Sequence, residues 1–332
     1  LGITLIALVL SSVNFLPHWL NWNFTGYDQK DDWSDITNLY SGLNQLEPGR
    51  IMWEPNSDLN KYGTPMVLMT IPMFTNHESI EGLYFDSSIT TPFHFVTVSG
   101  VAESPSNPVG GLSYINGDFD RGVRYMKELG VDYFISYTDS ITDKAIMSDE
   151  LENLFQSSPF TVFKIYSDKV QVVDAEVVNF NQPELVERIS NSIFKLEKTD
   201  SFFNLAMKEF KLDNKKRIIE GIDTEESQIQ NRITGKKSEI NNVRISNNEI
   251  TFETDHPNEL HIVKVSYFPN WKIENGSGPY RLSPSFMGVI PYSNEVSITF
   301  ENTSLEKSLN IISLIIFLLT AYLLVFRIKK YA

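Results

Sequence analysis

The sequence of 332 residues contains no cysteine. Disulfides, thiolate metal sites and cysteine nucleophiles are therefore excluded. Cationic charge is scarce: 28 Lys and Arg stand against 42 Asp and Glu, for a formal net charge of −14. Such a surface repels nucleic acid and anionic lipid headgroups, and reads as a solubility device rather than a recognition face. The common catalytic fingerprints are missing too. There is no HExxH, no GxSxG, no P-loop and no dinucleotide-binding glycine motif. The five histidines, His18, His77, His94, His256 and His261, lie at spacings that suggest no metal site, and no cofactor is expected.

What is present is uneven. Mean hydropathy is −0.18, too polar for a mainly transmembrane protein, while an apolar fraction of 42% is ample for a buried core. The apolar residues gather at the two ends. Residues 309–326, LNIISLIIFLLTAYLLVF, carry no charge, glycine or proline. A helix of that length spans about 27 Å, close to the hydrocarbon thickness of a bilayer. A buried core helix is the alternative, but this stretch is apolar on every face. Arg327, Lys329 and Lys330 follow at once. By the positive-inside rule they predict a cytoplasmic tail, with the acidic region on the extracytoplasmic face. Residues 1–16, LGITLIALVLSSVNFL, read as part of a second spanning helix, or as an amphipathic helix packed on the domain. Pro17, Trp19 and Trp22 follow and suit the lipid–water boundary. With neither a start Met nor a basic leader before this run, the expectation is a chain cut from something longer.

Between the ends, a helix is predicted from about Asp32, with Trp33, Ile36, Leu39 and Tyr40 on one face. A turn over 47–50 leads to a strand over 51–53. Residues 64–74 read as an extended run bent at Pro72, and 75–118 as a long irregular segment. Residues 119–130 have helical spacing, with Asp118 or Asp120 as N-cap and Gly130 as stop, feeding a strand over 131–136. A short helix is predicted over 148–156. Strands over 161–166 and 169–178 are expected to pair through a turn at Ser167-Asp168, and helices to follow over 183–211. Residues 211–240 are highly charged. Beyond them, Ile250, Phe252, Val263, Val265, Val296, Ile298 and Phe300 alternate with polar residues in short strands, the pattern of an antiparallel sandwich.

The expected fold class is α+β: a membrane-anchored, mixed α/β domain followed by a small antiparallel β-sandwich, flanked by transmembrane helices. The expected segments are an anchor and interfacial region (1–27), the mixed domain (28–210), a charged linker (211–240), the sandwich (241–304) and the terminal membrane helix (305–332).

Residues 266–302, SYFPNWKIENGSGPYRLSPSFMGVIPYSNEVSITFEN, carry a Tyr-x-Pro-x-Trp block at Tyr267, Pro269 and Trp271. This block resembles the C-terminal sandwich of large multi-pass membrane proteins of the YfhO type. It equally resembles related membrane proteins named after a 6-pyruvoyl-tetrahydropterin-synthase-like region. GRIMWEP (49–55), MKELGVDYFISY (126–137) and FTVFKIY (160–166) resemble other parts of the same proteins, in the same order. The resemblance implies a parent similar to integral-membrane glycosyltransferases that use a polyprenyl-phosphate sugar in cell-envelope glycan assembly. In that class the catalytic acid lies in the first outward loop, which has no counterpart here. No catalytic residue transfers, and this fragment is expected to be non-catalytic. The implied partners are membrane lipid and a lipid-linked sugar or glycan acceptor, with no nucleic acid.

Candidate binding residues follow from side-chain chemistry. Arg50, Trp53 and Glu54 sit on a predicted strand beside the long irregular segment that holds Tyr84, Phe93 and His94. Sugars bind by stacking on aromatic faces and by charged hydrogen bonds, which these residues offer. The alternative is core packing with a structural Arg–Glu pair. Asp118 and Asp120 form a DxD that suits a divalent ion and a sugar diphosphate, or else caps a helix. Asp31, Asp32 and Asp35 could coordinate a cation near the membrane, but read rather as a solvated helix start. Besides a glycosyltransferase-like parent, the sequence leaves open a membrane-anchored binding or sensor module, and an envelope hydrolase acting through Asp118 and Asp120.

Overall fold

The computed structural model describes residues 13, 15–81, 90–110, 112, 114–173, 175–177, 217–220 and 239–331. The first apolar run, apart from Val13, Phe15 and Leu16, and the helices expected over 183–211 lie outside the described residues. The chain is a mixed helix-and-strand protein of the α+β kind that divides into two compact units, Leu1–Asp168 and Lys169–Ala332.

The first unit is built on a five-stranded sheet of order β2-β1-β3-β5-β4. Its strands are β1 (Arg50–Trp53), β2 (Glu78–Ser79), β3 (Tyr133–Ser136), β4 (Leu151–Ser157) and β5 (Phe160–Ile165). β2, β1 and β3 run parallel, and β3, β5 and β4 antiparallel. All four residues of β3 are buried, so both faces of the sheet are covered. On one face Ile51, Trp53, Tyr133 and Ile135 pack with Ile36, Leu39, Tyr40 and Leu43 of the helix Trp33–Leu43. On the other, Phe134 meets Phe119 at 6.4 Å between ring centroids. The alternation of pleated side chains thus divides one short strand between two cores. Ahead of the sheet, the helix Leu16–Phe24 buries none of its residues, and the Lys30 ammonium lies 4.2 Å from the centre of the Trp22 ring.

Four local expectations are corrected. Residues 64–74 are not extended: a 3₁₀ turn, Val67–Thr70, passes into a short helix, Ile71–Phe74, with Pro72 in its first turn, where a missing N–H costs nothing. The segment 75–118 is not irregular throughout, because it contains the helix Thr91–Val101. Every residue from Phe93 to Val101 is buried, so the helix has no polar face to reveal its period. Residues 148–156 do not form a helix. They enter β4, which closes a hairpin on β5, while the helix of this region, Asp139–Ile146, begins after its cap Thr138. Finally, β6 (Val170–Val172) does not pair back on β5 through Ser167-Asp168; it pairs with β11 (His261–Ser266), some ninety residues further on.

The helices Thr91–Val101 and Phe119–Glu128 cross through glycine. A Cβ on Gly100 would lie 2.8 Å from the Asp118 carbonyl oxygen and 3.0 Å from Gly122 Cα.

The second unit holds two sheets. One has the order β12-β15-β10-β9, all antiparallel, from β9 (Ile240–Ile245), β10 (Glu249–Thr254), β12 (Trp271–Ile273) and β15 (Glu295–Phe300). The other has the order β6-β11-β14-β13-β8-β7, adding β7 (Ala175–Val177), β8 (Arg217–Glu220), β13 (Gly276–Leu282) and β14 (Phe286–Pro291). Only its β7–β8 pair is parallel. β8 lies within the stretch read from composition as a charged linker. Ile250, Phe252, Val296, Ile298 and Trp271 of the first sheet meet Val263, Met287 and Val289 of the second in one apolar cluster. Thr251, Glu253 and Ser297 face the other way, as period-two alternation requires.

The last element is the helix Ser304–Tyr331. Its stretch Ser304–Leu323, with mean hydropathy 1.5 and no part buried, is long and apolar enough to cross a membrane. Among the described residues no other helix meets that description. Its start is fixed by a capping box: Glu306 accepts from the Thr303 backbone N–H (2.6 Å), and the Glu306 N–H donates to Thr303 Oγ1 (3.2 Å). Buried Asn270 donates to the same Glu306 carboxylate at 2.7 Å and to the Glu301 carbonyl at 2.9 Å.

The glycine crossing gives a first test. Gly100→Ala should lower unfolding stability by about 1–3 kcal/mol, because backbone cannot retreat as a side chain can. Denaturant melts of the two forms measure it, and equal midpoints would contradict the close approach.

Candidate functional site

The candidate site residues singled out from sequence all belong to the first unit. Arg50 opens β1. Its backbone N–H donates to Asp132 Oδ2 at 2.6 Å, Nη1 donates to the Leu129 carbonyl at 2.8 Å, and Nη2 reaches Glu78 at 3.4 Å. The guanidinium thus staples β1 to its neighbour β2 and to the turn before β3. The structural Arg–Glu pair weighed for Arg50 and Glu54 does not form between those two: Arg50 pairs with Glu78, and Glu54 takes other donors. Trp53 is 2% exposed and belongs to the core beneath the sheet.

Glu54 is fully buried at the end of β1. Its carboxylate accepts from the N–H groups of Tyr137 and Thr138 (both 2.9 Å), from Thr138 Oγ1 (2.7 Å) and from the Glu103 N–H (3.3 Å). A buried carboxylate is tolerated when donors surround it this completely. Glu54 therefore fixes the loop that launches the helix Asp139–Ile146.

His94 is buried on the helix Thr91–Val101, with Nε2 3.4 Å from the Glu81 carboxylate. Tyr84 lies outside the described residues. Asp118 accepts from the Arg121 N–H at 3.2 Å as N-cap of the helix Phe119–Glu128, and Asp120 sits in that helix's first turn. Of the other acidic group, Asp35 accepts from Tyr62 OH at 2.8 Å, and Lys61 lies 3.5 Å from Asp32. Among the described residues no cluster of three or more His, Asp or Glu side chains is arranged to hold a metal ion.

Two further histidines are structural in their contacts. His77 places Nε2 2.8 Å from the Leu43 carbonyl, which ties β2 to the helix Trp33–Leu43. His261 is fully buried between Thr254 Oγ1 (2.8 Å from Nε2) and the Glu259 carbonyl (2.9 Å from Nδ1). A carbonyl only accepts, so Nδ1 carries the proton and Nε2 accepts from Thr254. Burial holds the His261 pKa down at about 4, against an ordinary 6.5.

A different surface offers room for a ligand. The outward face of the four-stranded sheet carries an open groove of about 840 Å³. Its polar lining includes Arg244, Glu253, Glu274, Asn275, Glu295 and Ser297. Glu253 and Glu295 are direct cross-strand partners. Like charges in that register destabilise a sheet. Arg244 stands opposite Thr251, one pair away along β10. Three carboxylates against one guanidinium leave the groove with an excess of hydrogen-bond acceptors. Its chemistry suits hydroxyl and amine donors rather than anions. None of Arg50, Trp53, Glu54, His94, Asp118 and Asp120 lines it. The sequence signal was the set of polar positions alternating with the core residues of β9, β10 and β15. That signal is local to each strand, and the strands meet only in the fold.

Fold and groove define a class no finer than a mixed α+β protein with a long apolar terminal helix and a polar sheet face. Comparison with protein-family models, with curated proteins and with solved structures found no match.

Two measurements test this account. Glu54→Ala leaves several buried donors without an acceptor and should cost about 3 kcal/mol, read as a shift in the denaturation midpoint. For His261, the unfolded chain takes up a proton near pH 6.5, while the native state resists until about 4. Its contribution is therefore fully present above pH 6.5 and is lost as pH falls toward 4, by about 3 kcal/mol in all. Stability of His261→Gln should fall less steeply across that window.

Proposed function

We propose that this chain is the extracytoplasmic C-terminal portion of a polytopic, glycosyltransferase-like membrane protein that uses a polyprenyl-phosphate sugar in cell-envelope glycan assembly. In this reading its two units contact glycan and the chemistry resides elsewhere in the parent. The terminal helix Ser304–Tyr331 is the anchor, and its basic end, Arg327, Lys329 and Lys330, faces the cytoplasm. The two-sheet unit is then a sandwich held against the outer leaflet. The Tyr267, Pro269 and Trp271 block supports the family reading: Trp271 is a core residue, and Asn270, within the block, donates to Glu306 at the start of the anchor.

The observation that carries glycan contact is the groove over β9, β10 and β15. Its unbalanced carboxylates, Glu253 and Glu295, gain most from a ligand that supplies donors. Saccharides with free hydroxyl and amino groups are such ligands, whether presented on a lipid or on a growing polymer.

The same groove also favours the alternative of a membrane-anchored binding or sensor module with no transferase attached. Mapping the spans of the native polypeptide separates the two. About ten or more additional spans accord with the transferase parent, and none with the module.

The test of glycan contact is titration of the chain, held in lipid nanodiscs, with neutral and amine-bearing oligosaccharides. Glu253→Gln and Glu295→Gln should each weaken binding of the amine-bearing ligand about tenfold, the loss of one charge-assisted hydrogen bond. Each should leave thermal stability equal or higher, since a like-charge pair is relieved. Unchanged affinity in both variants, or no binding by the parent chain, removes the groove from the account.

A further inference from the structure

Strand β15 ends at Phe300 and the terminal helix begins at Ser304, so only residues 301–303 join them. Fully extended, such a link reaches about 10 Å. It is not free to extend, because the Glu301 N–H donates to the Asn270 carbonyl at 2.9 Å, and Asn270 Nδ2 holds both the Glu301 carbonyl and the Glu306 carboxylate. The capping box at Thr303 and Glu306 closes the same knot from the helix side. Helix and sheet are one body here, with no linker to hold them apart.

That rigidity dictates what the lower edge of the sheet meets. The last charges before the apolar run of the helix are Glu306 and Lys307. From Ser304 to Lys307 the helix rises about 4.5 Å, no more than the depth of one headgroup layer. The edge at Phe300 is then carried into that layer.

The residues exposed at this edge match the place. Phe268 is 53% exposed, Phe300 38% and Leu305 69%. Phe268 stacks on Phe300 with ring centroids 6.0 Å apart, and Phe300 in turn meets Trp271 edge-on at 5.1 Å. The exposed aromatic pair therefore rests on the core and cannot fold away from solvent. Beside it, Lys272 and Lys307 reach Glu301 at 3.4 and 3.6 Å, and with the Glu306 carboxylate at the helix start the two cations meet two anions, a neutralised polar fringe rather than a cationic patch. Phenyl and leucyl side chains backed by the core and fringed by long polar side chains match the apolar face of elements that lie in a lipid–water boundary.

We infer that Phe268 and Phe300 form a rigid aromatic foot that seats the edge of the second unit in the headgroup layer of the bilayer, so that the sandwich stands on the membrane instead of hanging from it. The inference rests on the membrane reading of the terminal helix and adds a lipid-contact site to the two-sheet unit. The occupant is the interfacial layer of a neutral bilayer, for the fringe offers no net positive charge to anionic lipid.

The absence of cysteine makes the test direct. Single cysteines introduced as Phe268→Cys, Leu314→Cys and Ser293→Cys each receive a nitroxide, in the full chain held in phosphatidylcholine nanodiscs. Accessibility to oxygen, which partitions into lipid, is compared with accessibility to a water-soluble nickel chelate. Ser293, in the turn before β15, lies about 17 Å further from the membrane along the strand and serves as the aqueous reference. Leu314 lies mid-helix and reports on the span itself. The foot predicts a Phe268 reading between the two, with an oxygen preference several-fold above that at Ser293. A Phe268 site as aqueous as Ser293, with Leu314 in lipid, overturns the foot and leaves the span standing. A Phe268 site shielded from both reagents points to a protein neighbour and also overturns it. An aqueous Leu314 defeats the membrane reading and the foot together.

Discussion

A single buried amide, that of Asn270, joins the two kinds of structure in the second unit. It bonds the end of the last strand and the first turn of the terminal helix at once. The interaction is strong because one of its acceptors is charged and because the amide itself is buried. It also couples two folding problems. The sheet is held by the apolar cluster around Phe252 and Ile298, whereas the helix has no buried face among the residues from Ser304 to Leu323. Without Asn270, the joint between helix and sheet would lose its buried hydrogen bonds and keep the short chain segment and the exposed ion pairs at Glu301.

The first unit relies on the same device, a polar group buried only where its hydrogen bonds are complete. Glu54, His77 and Arg50 each sit at an end of β1 or β2 and satisfy backbone groups that the strand and helix ends around them leave open. Each looks functional by residue type, yet each is consumed by its contacts. Asp118 is likewise occupied as a helix cap. The groove over β10 and β15 is the opposite case. There Glu253 and Glu295 face each other, and the fold gains nothing from the arrangement. A surface that carries an electrostatic cost without structural return is where ligand contact is best sought.

Foot and groove lie at opposite ends of the same strand. Phe300 is the last residue of β15 and Glu295 the first. If the foot is seated in lipid, the carboxylate end of the groove points away from the bilayer and its headgroups. The two proposals are independent in their tests but compatible in geometry.

Composition and order were legible from the sequence alone. The apolar terminal run, the capped helix after Asp118, the strand Tyr133–Ser136 and the alternating strands around Ile250 and Val296 all follow from local periodicity. Local pattern misled where burial erased it. The helix Thr91–Val101 has no polar face, and β4 carries the Leu, Glu and Gln that favour helices until its hairpin with β5 overrides them. Pairing of β6 with β11, of Asn270 with Glu306 and of Glu253 with Glu295 required the tertiary structure. The reason is physical. Residue spacing reports the face each side chain takes within its own element, but a partner distant in sequence is chosen by shape, burial and hydrogen-bond completion, which exist only once the elements have met.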